Sequence, residues 1–228
     1  MNQKEWQESK KVLSEAYKQK LSQAGILAVL ELDLEEYAVP VARALVRGGV
    51  TAIELALRTK AAAPSIELIA REVPEMCIGI GTIIFPGQTR QVQSLGAHFG
   101  VSPGFNPIIV QEAIAAGFPF APGIATPSEL EGALELGCDV LKLFPAEGLG
   151  GLNYLKQMNA PYRYLGLTYI PLGGVSEANL KDYAEMPEIL AIGGTWIAKR
   201  DLITDRNWDE ISRRAEKACA IWQSIRRN

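Results

Sequence analysis

Short apolar runs that return at intervals between longer segments of helical period constrain this chain more than any other feature. The runs are Ile26–Leu30, Ala52–Leu57, Cys77–Gly81, Phe99–Val101, Phe118–Ala121, Val140–Phe144, Tyr169–Pro171 and Ile189–Ile192. Helical patterns fill the gaps near Leu34–Arg47, Ala61–Val73, Pro86–Leu95, Pro107–Ala116, Ser128–Leu136, Leu152–Met158 and Glu177–Glu185, with a last one near Asp209–Ser224. Strands covered on both faces read as continuous apolar runs, and strands that alternate with helices form a parallel sheet.

Eight such units fit a closed (β/α)8 TIM barrel, whose helices form an outer ring. An open doubly wound sheet is the structural alternative. A polar, amphipathic stretch from about Gln3 to Ala24 predicts an extra N-terminal helix, so residues 1–24 precede a barrel over 25–228. With 228 residues, 48% of them hydrophobic, and no linker or charge block, the chain reads as a single domain with a sizeable core. Gly48-Gly49, Gly96, Gly117 and Gly137 each sit between a helical segment and a strand, where a left-handed residue is often needed.

Charge and cysteine usage exclude several classes of function. The net charge of -3 is mild, and Arg213, Arg214, Lys217, Arg226 and Arg227 are interspersed with Glu216 and apolar residues. They read as the solvated face of a last helix, not a nucleic-acid patch. No run is apolar and long enough to span a membrane, and the first residues lack a signal core, so a cytoplasmic protein is expected. Cys77, Cys138 and Cys219 are too few and too scattered for a disulfide framework or a zinc ligand set. The single histidine, His98, argues against a histidine-rich metal site and reads as structural.

Against this apolar background Lys142 stands out, in the run Val140-Leu-Lys-Leu-Phe144. Alternation along a strand sets Val140, Lys142 and Phe144 on one face and Leu141 and Leu143 on the other. Burial there disfavours a charged amine, and a neutral amine is a nucleophile. A lysine that snorkels to water from the strand end is the bland alternative.

The second strand, Ile53-Glu-Leu-Ala-Leu-Arg58, places Glu54, Ala56 and Arg58 on a common face. In a barrel that face points inward. Arg58 has the donor fork to hold a substrate carboxylate, and Glu54, one layer deeper, the oxygens to move protons. Mutual neutralisation as a buried ion pair is the other reading of these two. Gly173-Gly174 and Gly193-Gly194-Thr195 follow the last two strands. Glycine pairs let backbone amides approach an anion, and a helix starting near Thr195 would add its positive end, which favours phosphate over a mere pair of turns.

The segments Gly49-Val-Thr-Ala-Ile-Glu-Leu-Ala-Leu-Arg-Thr59, Gly79-Ile-Gly-Thr82, Val101-Ser-Pro-Gly104, Pro122-Gly-Ile-Ala-Thr126, Leu141-Lys-Leu-Phe-Pro-Ala-Glu147, Pro171-Leu-Gly-Gly-Val-Ser176 and Ile192-Gly-Gly-Thr-Trp196 together resemble the class I 2-keto-3-deoxy-6-phosphogluconate (KDPG) and 4-hydroxy-2-oxoglutarate (KHG) aldolases. They occur in family order and cover nearly the whole chain. The resemblance implies that Lys142 is the Schiff-base lysine and Glu54 the proton shuttle. It implies that Arg58 and Thr82 hold the pyruvyl carboxylate and that Pro103 and Phe144 wall the same pocket. Gly173, Gly174, Gly194 and Thr195 become the phosphate cradle. It also implies a homotrimer, with pyruvate and a phosphorylated 2-keto sugar acid as small-molecule partners, and no metal or organic cofactor.

At one substrate-binding position the chain departs from the family pattern. Leu172 stands where many gluconate-type members have a threonine, and relatives that cleave the galactonate epimer resemble this chain in having an aliphatic residue there. The expected function is therefore cleavage of a 2-keto-4-hydroxy acid, phosphorylated, to pyruvate and glyceraldehyde 3-phosphate, with C4 preference open. A galactonate-specific aldolase, a phosphosugar isomerase or epimerase, and a non-catalytic phospho-ligand sensor are the alternatives.

Overall fold

The structure is a computed structural model that describes residues 11–226. Its strands are β1 (Ile26–Leu30), β2 (Ala52–Ala56), β3 (Cys77–Gly81), β4 (Phe99–Val101), β5 (Phe120–Ala121), β6 (Gly123–Ile124), β7 (Val140–Leu143), β8 (Thr168–Pro171) and β9 (Ile192–Gly194). All pair in parallel, in the orders β5-β4-β3-β2-β1-β9 and β6-β7-β8. Pro122 has no N–H and so separates β5 from β6, but its carbonyl accepts from Lys142 N–H at 2.9 Å. Residues 120–124 thus form one stave that pairs with β4 at its start and with β7 at its end.

The other seam closes in a similar way. Leu190 N–H donates to the Tyr169 carbonyl at 2.9 Å, and Tyr169 N–H to that of Glu188 at 2.8 Å. Two residues after Leu190, Ile192 pairs with Ile26 of β1. The result is an eight-stave parallel barrel.

Period two sorts the buried side chains into two cores. Ile26, Ala28 and Leu30, with Ile53, Leu55, Leu141 and Leu143, pack outward against the helices. Leu27, Val29, Ala52, Phe99, Val140 and Ile170 form a separate cluster within the barrel. Leu13 and Leu21 belong to that inner cluster. The helix α1 (Glu15–Ala24), which runs directly into β1, therefore plugs the N-terminal mouth of the barrel. Lys18 of α1 forms an ion pair with Asp139, the residue before β7.

The outer helices are α2 (Ala38–Arg47), α3 (Ala62–Glu72), α4 (Gln88–Ser94), α5 (Pro107–Ala116), α6 (Pro127–Glu135), α7 (Gly151–Asn159), α8 (Leu180–Ala184), α9 (Arg200–Thr204) and α10 (Trp208–Arg226). Helix α6 starts with a capping box: the Thr126 side chain accepts from Glu129 N–H and the Glu129 carboxylate from Thr126 N–H. Of the expected left-handed glycines, Gly49, Gly96, Gly117 and Gly137 have positive φ, whereas Gly48 has φ -85°.

Several boundaries differ from the sequence reading. The N-terminal helix begins at Glu15, residues 11–14 are not helical, and the earlier part of the expected helix lies outside the described residues. The eighth strand is Ile192–Gly194 and not Ile189–Ile192, because register with β1 selects the glycines over the apolar Ile189-Leu190. The helix expected over Glu177–Glu185 shortens to α8, because the Asn179 side chain accepts from Ser176 N–H at 2.8 Å and holds the preceding residues in a turn. No helix starts near Thr195: residues 195–198 are bends, and the five-residue α9 begins only at Arg200.

Candidate active site

Counted around the barrel, β2 and β7 lie on opposite sides. Each sends a polar side chain towards the axis, and the two meet: Lys142 Nζ donates to Glu54 Oε1 at 2.8 Å. Both are almost fully buried, with 4% of Lys142 and 2% of Glu54 exposed. The other carboxylate oxygen, Glu54 Oε2, is buried without a hydrogen-bond partner among the described residues. Nζ also lies 5.2 Å from the centroid of the Phe144 ring, two residues along the same face.

Backbone choices on β3 make room for this pair. A Cβ at Gly81 would lie 2.0 Å from Glu54 Oε1, so only glycine leaves the carboxylate its place. The next residue, Thr82, has φ 64°, a left-handed conformation uncommon outside glycine and a form of strain found at functional sites. Its Oγ1 accepts from Arg58 Nε at 3.2 Å.

Arg58 lies just past β2, in the turn at the pocket mouth, with its side chain 52% exposed. It does not neutralise Glu54, as the sequence allowed. Its Nη1 instead donates to Glu31 at 3.3 Å, and Glu31 in turn accepts from Arg200 Nη1 at 3.0 Å. The snorkelling alternative for Lys142 fails as well, since its amine ends inside the barrel on Glu54.

A pocket of about 220 Å³ opens above the amine at the C-terminal ends of the strands. Its walls include all eleven residues singled out in the sequence: Glu54, Arg58, Thr82, Pro103, Lys142, Phe144, Leu172, Gly173, Gly174, Gly194 and Thr195. Sequence reasoning missed four further lining residues, Val29, Val175, Trp196 and Lys199. Inward alternation on β1 could have found Val29; the other three follow strands in irregular loops and carry no periodic signal. Gly173 and Gly174 have φ 90° and 87°, so the turn between β8 and α8 needs glycine twice. The N–H groups of Ala146 and Glu147 bind the carbonyls of Leu172 and Gly173 at 2.7 and 2.9 Å, which ties that turn to the loop after β7.

Other reactive side chains are placed elsewhere. Burial raises the Cys77 thiol and takes those of Cys138 and Cys219 up to about 12 and 11. Burial lowers His98, at the base of β4, and its Nδ1 accepts from Ile78 N–H at 2.9 Å. Among the described residues no group of His, Cys, Asp or Glu is placed to hold a metal ion. No helix there is long and apolar enough to cross a membrane.

A buried amine paired with a carboxylate, at the C-terminal end of a closed parallel barrel, is an arrangement that fits the Schiff-base class of barrel lyases. The model of the KDPG and KHG aldolase family matches residues 17–214, and the chain belongs to that family. The KHG/KDPG aldolase of Escherichia coli strain K12 is 37% identical over 198 residues, which is 87% of this chain and 92% of that protein. A KDPG aldolase from Legionella pneumophila, with pyruvate captured at low pH as a covalent carbinolamine intermediate, superposes with a TM-score of 0.84 at 31% identity. That match covers 88% of this chain and 97% of the other. The KDPG aldolase of Zymomonas mobilis ZM4, with 3-phosphoglycerate, gives 0.82 at 32% identity and covers 91% and 97%.

Proposed function

We infer that the protein is a class I aldolase that cleaves KDPG, or a related 2-keto-4-hydroxy acid, to pyruvate and an aldehyde, with Lys142 as the imine-forming nucleophile. The observation that carries this reading is the 2.8 Å Lys142–Glu54 pair facing the pocket. A proton passed from Nζ to Glu54 leaves a neutral amine with its lone pair free. That lone pair attacks the C2 carbonyl, giving a carbinolamine; Glu54 then returns its proton to the departing hydroxyl, which leaves as water, so that an iminium remains beside a Glu54 that is again a carboxylate. The C3–C4 bonding electrons then flow into the iminium while Glu54 takes the C4 hydroxyl proton. The aldehyde leaves, an enamine remains, and protonation at C3 followed by hydrolysis returns pyruvate and the amine.

Arg58 and Thr82, joined at the mouth, are assigned to the substrate carboxylate, with Pro103 and Phe144 as walls of that part of the pocket. Gly173, Gly174, Gly194 and Thr195 are assigned to the distal phosphate, so the aldehyde released is glyceraldehyde 3-phosphate. They do so as loop backbone and a hydroxyl, without the helix end that the sequence suggested. Leu172, buried in the wall beside the glycine pair, offers no donor to a C4 hydroxyl, so discrimination between the gluconate and galactonate epimers is weak or favours the latter.

A homotrimer is proposed on family membership together with an apolar surface at Ile84, Phe85 and Ile108. A cytoplasmic setting suits the three free, buried cysteines. The test is pyruvate with borohydride: a reduced pyruvyl group is expected on the peptide that contains Lys142, and none in Lys142→Met. An adduct confined to Lys60, Lys156 or Lys199, or loss of turnover on chelation, overturns the mechanism.

A further inference from the structure

Lys199 has no part in the family resemblance drawn above, and it lines two adjoining hollows. One is the active-site pocket, where it joins Gly173, Gly174, Gly194 and Thr195. The other is a neighbouring groove that it shares with Arg213, Arg214 and Lys217. Three of these four cations are already engaged. Arg213 and Arg214 both bind Glu210 at 2.7 Å, Arg214 also donates to the Trp196 carbonyl at 2.9 Å, and Lys217 binds Glu177 at 2.6 Å. The Lys199 carbonyl accepts from Ile203 N–H at 3.1 Å, but its ammonium makes no hydrogen bond or ion pair among the described residues. It follows the 195–198 loop directly, and the Arg214 contact to the Trp196 carbonyl fixes that loop. A hypothetical Cβ on Gly194 would lie 1.9 Å from the Trp196 ring, so the indole covers the glycine backbone.

We propose that Lys199 is a specificity residue that recognises the dianionic end of the substrate, selecting phosphorylated over unphosphorylated aldehydes. The proposal rests on the aldolase reading and deepens it. Backbone amides and a hydroxyl orient a phosphate but carry no full charge, whereas an unpaired ammonium at their edge adds an ion pair that an unphosphorylated chain cannot use. Because the ammonium is exposed, its contribution is screened by salt. The C2 chemistry at Lys142 is untouched, so the effect falls on KM and not on kcat.

Calorimetric titration with glycerol 3-phosphate, which has no ketone to react, tests the contact apart from turnover. Lys199→Gln is expected to bind it about tenfold more weakly, the scale of one charge-assisted hydrogen bond. Lys199→Arg is expected to bind close to the parent, and so is Lys217→Gln, whose charge is already paired. In turnover, Lys199→Gln raises KM for KDPG about tenfold with kcat kept, and leaves kcat/KM for unphosphorylated 4-hydroxy-2-oxoglutarate within about twofold. Equal affinity of parent and Lys199→Gln for glycerol 3-phosphate overturns the proposal, as does an equal loss in Lys217→Gln. Failure of the aldolase reading has a different signature: no pyruvate adduct at Lys142, whatever the glycerol 3-phosphate titration shows.

Discussion

The carboxylate of Glu54 has two possible services to the buried amine: to neutralise it or to exchange protons with it. Its Oε2, without a partner among the described residues, favours the second, since a purely structural partner gains by satisfying both oxygens. Glu54→Gln keeps an oxygen beside Nζ and removes the basicity, so kcat should fall by about 10²–10⁴ while the fold persists. Near-normal kcat with a large loss of stability would reduce Glu54 to a counter-ion. Leu172 tests a different property. Leu172→Thr places a hydroxyl in the pocket wall and should shift the kcat/KM ratio towards the gluconate epimer by about 0.5–1.5 kcal/mol. A parent that already strongly prefers that epimer, with a ratio unmoved by the substitution, would mean that C4 is read elsewhere. The inward direction of Glu54 and Lys142 was legible from alternation, but the partner of each was not. Period two paired Glu54 with its strand neighbour Arg58, whereas the residue it meets lies 88 positions away.

At the level of elements, the plugging helix separates stability from chemistry. Leu21 is fully buried in the barrel's inner cluster, at the end opposite the pocket. Leu21→Ala should cost about 2–5 kcal/mol of unfolding free energy by leaving a cavity under the staves. Because no lining residue of the pocket belongs to α1, kcat of the folded fraction should stay unchanged. Denaturant titration and initial rates on one preparation check both halves, and a kcat loss at full folding would refute the separation. Where the chain has a clear period or cap, as in β1, β2 or α6, the sequence placed the element to within a few residues. It failed at Ile189–Ile192 and at Glu177–Glu185, where inter-strand register and an Asn179 turn, both set by neighbours in space, override an apolar run and a helical pattern.

For the whole molecule, Phe85 is 63% exposed and shares its loop with Ile84, close to the Thr82 turn that contributes to the pocket. A trimer that buries this surface should sediment as three chains of 24.8 kDa, and Phe85→Glu should yield smaller species. Sedimentation of the parent as a monomer would overturn that assembly. The sequence by itself determined the parallel architecture, the inward direction of Glu54 and Lys142 and most of the glycine turns, because periodicity and backbone sterics act over a few residues. Only the tertiary structure decided that Lys142 meets Glu54, that Arg58 turns instead to Thr82 and Glu31, and that Lys199 lines the same pocket as Gly173, Gly174 and Gly194. Those contacts depend on closing a ring of staves, and the distance across a closed ring is written in no local stretch of the chain.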